Sequence, residues 1–285
     1  MDLLEDLHRR VLPADGAMGT ELFAAGVPRG RCLEELCLSQ PELVQRIHAA
    51  HLAAGARLVK TNSFGANAVR LAAHGLEHRV SEINWTAAQL AKEAATDARA
   101  HVAGSVGPLG GTGGADREAI FLEQIGALLD GGVRVILLET FTDLAELSVA
   151  IRAKQTLHHC PVIACVACRD DARLPDGMTL ADACARLRDA GADIVGVNCT
   201  AVSPALLDAL PVADPDVPLA VFPSAGVPVE RDGRLEYPVA PEQFGRDAVA
   251  LAQRGARLIG GCCGAGPAHI GALVRALAQA GIISS

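Results

Sequence analysis

The stretch ADIVGVNCT, residues 192–200, decides the fold class of this chain. Its apolar residues run together instead of alternating with polar ones, which is typical of a parallel strand covered on both faces. Similar short runs recur along the 285 residues, at 11–15, 56–62, 101–107, 133–140, 161–167, 217–223 and 256–262. Together with 192–198, they predict eight buried β-strands.

Helical segments separate most of these strands. Apolar residues recur three and four positions apart in the segments 41–55, 117–132, 180–191 and 241–255, and each of these ends in glycine, as many helices do. Residues 267–282 predict an eighth helix. Eight β–α units without a change of composition predict an α/β fold with a single (β/α)8 TIM barrel over residues 1–285.

A doubly wound open sheet is the alternative. Its nucleotide loop would be GSVGPLGGTGG, residues 104–114, which follows a predicted strand. These glycines do not fall in the GxGxxG spacing that binds a dinucleotide. The pattern therefore favours the closed barrel.

Composition excludes several classes of function. The formal net charge is −8 and no basic cluster is present, which argues against nucleic-acid binding. No apolar run approaches the roughly 20 residues of a membrane span. The N-terminal sequence lacks the pattern of a signal peptide, so we expect a cytoplasmic protein whose nine cysteines are reduced.

Three cysteines fall where the predicted strands end. Active-site residues of TIM barrels lie at the carboxyl ends of the strands, and Cys199 ends the sixth strand while Cys262 and Cys263 end the eighth. Thiolates are preferred zinc ligands, and three protein ligands with an open fourth position are typical of catalytic zinc. Alternatively, each cysteine is only a small buried apolar residue.

The other cysteines give a weaker pattern. CVAC, residues 165–168, has CxxC spacing but neither a second CxxC nor a thioredoxin context. We interpret Cys165 as a core residue and Cys168 as structural. Four more fall in predicted helices or loops away from the strand ends, and we expect them to be inert: Cys32, Cys37, Cys160 and Cys184.

Two acidic residues, Asp15 and Glu139, also stand at strand ends. A carboxylate there could receive the ammonium group of a substrate, because a buried acid without a partner is costly. Asp15 could instead form a turn with Gly16. The nine histidines form no HExxH motif and give no evident metal-ligand pair.

Six motifs in order, DGAMGT, TNSFGAN, GSVGP, LETFTD, GVNC and GGCCG, resemble the homocysteine S-methyltransferase family over about residues 10 to 265. The resemblance implies a (β/α)8 barrel in which three cysteines bind Zn²⁺ and the sulfur of homocysteine supplies the fourth ligand. It assigns the metal to Cys199, Cys262 and Cys263. It implies further that Asp15 and Glu139 hold the substrate amino group, that backbone N–H groups around Ala17 and Met18 hold its carboxylate, and that Asn62 and Asn198 line the site.

Within the family, the chain is more similar to the homocysteine domain of cobalamin-dependent methionine synthase and to barrels fused to methylenetetrahydrofolate reductase. Many such relatives have Asn in a PNAG element where this chain has Ser224. That Asn can serve as a resting zinc ligand. Water or the Ser224 hydroxyl would then take the fourth position in the absence of substrate.

The expected activity is zinc-dependent methyl transfer to homocysteine, giving methionine. The donor is either a methylated corrinoid on a separate protein within a methylfolate system or a small molecule such as S-methylmethionine. One Trp, one Tyr and six Phe are too few to favour an aromatic cage for betaine. The alternatives are a non-catalytic zinc-binding subunit of a methyl-transfer assembly and a methyltransferase acting on another thiol or a selenol.

Overall fold

A computed structural model describes residues 2–111, 116–157, 159–231 and 234–284. The strands are β1 (Leu12–Pro13), β2 (Leu58–Lys60), β3 (His101–Val106), β4 (Ile136–Phe141), β5 (Val162–Val166), β6 (Ile194–Ala201), β7 (Leu219–Ser224), β8 (Val229–Arg231), β9 (Arg234–Glu236) and β10 (Ala256–Ile259). The α-helices are α1 (Leu3–Arg9), α2 (Gly19–Ala24), α3 (Leu36–Ser39), α4 (Pro41–Ala53), α5 (Ala68–Ala72), α6 (Val80–Ala98), α7 (Arg117–Asp130), α8 (Leu144–Gln155), α9 (Leu180–Asp189), α10 (Pro204–Ala209), α11 (Pro241–Gln253) and α12 (Pro267–Gln279). A short 3₁₀ helix spans Glu77–Arg79.

Eight parallel strands form one sheet, in the order β1, β10, β7, β6, β5, β4, β3, β2. A parallel bridge from Ala14, next to β1, to Leu58 of β2 brings the two ends of the sheet together. Helices follow the strands along the chain, so the (β/α)8 barrel predicted from the sequence is confirmed. The open doubly wound sheet is excluded, because its two edge strands would not meet.

All eight predicted barrel strands are present, and the predicted eighth helix is α12. The antiparallel pair β8 and β9, inserted between β7 and α11, was not predicted. Its apolar side chains, Val229 and Leu235, are exposed, so this segment lacks the buried apolar run by which the other strands were recognised.

Side chains of the barrel strands fill the barrel interior, and Leu3 and Leu7 of α1 join them at the end where the strands begin. Because strand side chains alternate with a period of two, residues two or four positions beyond inward-facing apolar residues also point inward. Lys60 lies two positions beyond Leu58, and Glu139 two beyond Leu137. Polar side chains therefore replace the apolar interior at the carboxyl ends of the strands.

The loops that leave the strands are stabilised by helix caps. Asp116, Asp143 and Thr179 accept backbone N–H bonds in the first turns of α7, α8 and α9. Each cap satisfies N–H groups that have no partner inside the helix, and this fixes where each helix begins behind the strand ends. Among the described residues, no helix is long and apolar enough to cross a membrane.

Candidate metal centre and adjoining pocket

Three thiols meet at the carboxyl ends of β6 and β10. The Sγ atom of Cys199 lies 3.0 Å from that of Cys262 and 3.5 Å from that of Cys263. All three Sγ atoms lie within 4.8 Å of one another, and they form the one such group of potential ligands among the described residues. A tetrahedral ion with metal–sulfur bonds of about 2.3 Å separates its sulfurs by about 3.8 Å, so this group fits a single metal ion.

The backbone around these thiols takes unusual conformations. Cys199 has φ +55° and Thr140, at the end of β4, has φ +65°. Residues other than glycine rarely occupy this left-handed region, so the surrounding structure must hold these two residues in it. Directly after β10, a Cβ atom on Gly260 would lie 2.6 Å from the carbonyl oxygen of Asp15. Glycine there lets the cysteine pair approach the loop after β1.

The three thiols are strongly coupled to one another. Hydrogen bonds from Cys199 and Cys262 lower the pKa of Cys263 to about 3. Its two neighbours and burial raise the pKa of Cys262 well above its usual range. Each thiol of the group therefore changes the ionisation of the other two.

Further side chains contact the thiols from neighbouring strand ends. The Ser224 hydroxyl lies 3.8 Å from Sγ of Cys199, and Nδ2 of Asn198 lies 3.8 Å from Sγ of Cys262. The Tyr237 side chain lies near Cys263 and helps to lower the pKa of its thiol, and the Tyr237 ring covers Gly264, where an added Cβ atom would lie 2.1 Å from the ring. Ser224 therefore lies beside the thiols, and its role as a resting zinc ligand stays a prediction. Tyr237 lies beside the same group.

Glu139 lies beside the three thiols and is 6% exposed. Its Oε1 accepts a hydrogen bond from the Ser105 hydroxyl at 2.5 Å, and its Oε2 accepts one from Nδ2 of Asn198 at 3.3 Å. Burial raises the pKa of Glu139, although Lys60 and Ser105 oppose the rise. The carboxylate is thus oriented by neutral donors, and a cationic ligand would stabilise its charged form.

Asp15 is also buried near the carboxyl ends of the strands, and it is already paired with a lysine. Its Oδ1 is 3.1 Å from Nζ of Lys60, and its Oδ2 accepts the Lys60 backbone N–H at 2.9 Å. Burial alone lowers the pKa of Lys60, but Asp15 and Glu139 together raise it above its ordinary value. The Asp15 side chain is therefore fixed by Lys60 and is not merely capping a turn with Gly16.

In the turn that contains Ala17 and Met18, the backbone N–H of Ala17 already has a partner within the protein. The Ala17 N–H donates to the carbonyl oxygen of Ala265 at 2.9 Å, so it is not free to bind a substrate carboxylate. The Ala17 carbonyl oxygen is 3.2 Å from Nε2 of His51. The Ala17 N–H is thus engaged within the fold, and binding of a substrate carboxylate by N–H groups around Ala17 and Met18 stays a prediction.

Asn62 lies at the end of β2 but turns toward the chain before α3. Its Nδ2 donates to the Leu33 carbonyl oxygen at 2.7 Å and lies 3.6 Å from Sγ of Cys37. Cys37 was expected to lie away from the strand ends, and this was wrong, because α3 folds against the loop after β2. Cys165, by contrast, is fully buried in the barrel interior, as predicted.

Three residues of the candidate site were not predicted from the sequence, namely Lys60, Ser105 and Tyr237. Period-two alternation from Leu58 could have placed Lys60 inside the barrel. Ser105 stands in an apolar run and gives no comparable signal. Nothing in the spacing connects Tyr237, which follows β9, with the cysteine pair after β10.

Residues 12–277 match the family model described as homocysteine S-methyltransferase. This chain belongs to that family. The methionine synthase of Mycobacterium tuberculosis is 33% identical over 304 aligned residues, and that of Mycobacterium leprae is 32% identical. The alignments cover 98% of this chain but 25% of each relative, so the chain spans about a quarter of the length of these curated relatives.

Solved structures of the family show the same fold. The metallated form of the homocysteine methyltransferase MmuM from Escherichia coli matches with a TM-score of 0.76 and 29% identity, covering 93% of this chain and 96% of that one. Its oxidized form matches with a TM-score of 0.78 and 29% identity, covering 96% and 97%. The family and the barrel predicted from the sequence motifs are confirmed.

Proposed function

We propose that this chain is a zinc-dependent homocysteine S-methyltransferase that forms methionine. The observation that carries the proposal is the convergence of Cys199, Cys262 and Cys263 at the carboxyl ends of two barrel strands, with all Sγ atoms within 4.8 Å. Membership of the family and the match to a metallated relative support the same chemistry.

Zinc is the proposed ion because of the donor set. Thiolates suit zinc, and oxygen-preferring ions such as magnesium would find no carboxylate in the trio. When bound, the ion supplies a Lewis acid that lowers the pKa of a thiol from about 8.5, so that the thiolate is available at neutral pH. Three cysteine thiolates leave the centre with a net negative charge, which preserves the nucleophilicity of an added sulfur.

The surrounding residues would hold the amino acid end of homocysteine. The buried carboxylates of Glu139 and Asp15 form an acidic wall for its ammonium group. Asn198 orients Glu139 and also approaches Cys262, so one side chain connects the ammonium end of the pocket with the thiol end. N–H groups from Met18 onward would receive the carboxylate, and Asn62 would shape the wall behind them.

The transfer itself requires mainly alignment. The homocysteine sulfur forms a bond to the methyl carbon while the bond from that carbon to its donor breaks, and the thiol proton is released to solvent. Holding the two reactants in line provides much of the rate enhancement of such a displacement. The proposed donor is a methylated corrinoid on a separate protein or a small molecule such as S-methylmethionine, approaching over the open end of the barrel.

We place this reaction in the cytoplasm. All nine cysteines are free thiols, and the three proposed ligands lie close enough together to be vulnerable to oxidation. A reducing compartment keeps such thiols available for metal.

An assay of methionine formation tests the proposal. The zinc-loaded protein is incubated with homocysteine and either S-methylmethionine or methylcobalamin, and methionine is quantified by mass spectrometry. We expect methionine with one of these donors, a loss of at least about a hundredfold in Cys199→Ser, and little change in Cys168→Ser, whose thiol lies outside the trio.

Two outcomes would contradict the proposal. Absence of methionine with both donors would favour a non-catalytic zinc-binding subunit. Equal transfer to cysteine or selenocysteine would mean that the acceptor is not specifically homocysteine.

A further inference from the structure

Lys60 is a buried cation that the proposed reaction does not use. It ends β2, points into the barrel and has a side chain that is 10% exposed. Its Nζ lies 5.1 Å from the centre of the Phe222 ring, at the top of the apolar interior. A lysine is seldom buried in this way unless its charge is paired.

The pairing of Lys60 joins two segments of the pocket. Its backbone N–H and its ammonium group bind the two carboxylate oxygens of Asp15, at 2.9 and 3.1 Å. The same ammonium donates to the carbonyl oxygen of Gly261 at 2.8 Å, directly before Cys262. One side chain thus connects the loop after β1 to the segment that carries two of the proposed metal ligands.

Glu139 contrasts with Asp15. Its oxygens accept hydrogen bonds from Ser105 and Asn198, both of which are neutral. Within the described part of the chain, it has no partner for a salt bridge within 4.0 Å. Of the two buried carboxylates, Glu139 is therefore the one whose charge remains without a directly bound cation.

We propose that Lys60 is a positioning and specificity-determining residue, which fixes Asp15 and the cysteine pair in place and leaves Glu139 as the direct partner of the substrate ammonium group. The inference rests on the proposed function and assigns different roles to the two buried carboxylates, Asp15 and Glu139. Asp15 and Lys60 form a neutral unit in the wall. Glu139 provides the charge that distinguishes an amino acid thiol from one without the amine.

A pair of thiols tests the role of Glu139. Homocysteine and 4-mercaptobutanoate differ in the amino group alone, and their dissociation constants for the zinc-loaded protein are measured by calorimetry. Glu139→Gln should weaken homocysteine binding by about a hundredfold and abolish the preference over 4-mercaptobutanoate. Asp15→Asn should weaken both thiols by a similar factor and keep the preference. Equal loss of preference in the two variants would overturn the inference.

A double-mutant cycle tests the positioning role of Lys60. Lys60→Met and Asp15→Asn should each lower zinc affinity about tenfold, measured by competition with a chromophoric chelator, because each leaves an unpaired buried charge beside Gly261. The double variant should recover most of that loss. Additive losses, or a change in Tm with unchanged zinc affinity, would overturn the positioning role.

A matched control separates pocket effects from general damage. Lys154 is also a buried lysine, and its ammonium binds the carbonyl of Cys160, ahead of β5 at the other end of the barrel. Lys154→Met should reduce stability but leave zinc affinity and the thiol preference unchanged. If the unmodified protein takes up no zinc or binds neither thiol, the proposed function fails; if it binds both and only the variants deviate, the Lys60 inference alone fails.

Discussion

At the scale of single residues, burial also perturbs ionisation away from the three clustered thiols, as it does at His48. It is fully buried on α4, and neither ring nitrogen has a hydrogen-bond partner among the described residues. Burial lowers its pKa to about 4 from 6.5. The folded protein therefore resists binding a proton that the unfolded chain accepts.

This pKa shift predicts a dependence of stability on pH. The unfolded state binds more protons between pH 6.5 and pH 4, so stability falls as the pH falls through that window, by about 2 kcal/mol from pH 7 to pH 5. His48→Leu should remove that part of the loss. Chemical denaturation of the metal-free protein at both pH values measures it.

The exposed His74 provides the control for this measurement. His74→Gln should keep the full acid-dependent loss. If His48→Leu keeps it too, His48 is not the group responsible.

Some residues of the candidate site could be predicted from the sequence and others could not, for physical reasons. The three cysteines could be recognised as candidate ligands because thiols are uncommon at strand ends. In a barrel, the carboxyl ends of the strands lie at one face, so Cys199 could be expected near Cys262 and Cys263. The pairing of Lys60 with Asp15 was missed because it depends on the closure of β1 against β2. The blocked N–H of Ala17 could not be foreseen either, since its acceptor, Ala265, belongs to the far end of the chain.

At the scale of structural elements, the segment after β10 carries the proposed metal ligands Cys262 and Cys263 and packs beside Tyr237. Gly264 has φ +78°, and an added Cβ atom would lie 2.1 Å from the tyrosine ring. Gly264→Ala should displace the Tyr237 ring from beside Cys263 and lower zinc affinity about tenfold, measured by chelator competition.

Gly75 supplies the matched control for backbone strain. It has φ +68° and no atom within 4 Å of an added Cβ. Gly75→Ala should destabilise the fold by about 1 kcal/mol, as left-handed alanine does, with zinc affinity unchanged. A similar affinity in Gly264→Ala and the unmodified protein would mean that Tyr237 does not support the metal centre.

The barrel strands could be predicted from the sequence because both faces of each strand are buried. Strands such as β4 and β6 carry apolar side chains toward both the interior and the helices, so the runs are visible in the sequence. The hairpin of β8 and β9 lacks this property and was missed. The predicted strand ends also differ from the observed ones by one to a few residues, as for the run 56–62, of which β2 covers Leu58–Lys60.

At the scale of the whole molecule, the barrel does not depend on the metal for its core. The interior cluster and the outer cluster between strands and helices contain none of the three proposed ligands. Removing zinc with a chelator should leave the far-UV circular dichroism unchanged at 25 °C. Tm should fall by about 5–10 °C, the loss expected when a ligand present at about a hundred times its Kd is withdrawn.

Zinc should restore the original Tm, and magnesium should not. Global unfolding on chelation would show instead that the metal organises the fold, as it does in zinc fingers.

In the proposed function, a zinc ion bound by Cys199, Cys262 and Cys263 accepts the sulfur of homocysteine. X-ray absorption at the zinc edge, recorded with and without homocysteine, tests it most directly. We expect one zinc per chain, with three sulfurs at about 2.3 Å and one lighter atom, changing to four sulfurs when homocysteine is added. Fewer than three sulfurs, or a set of ligands that homocysteine leaves unchanged, would contradict it.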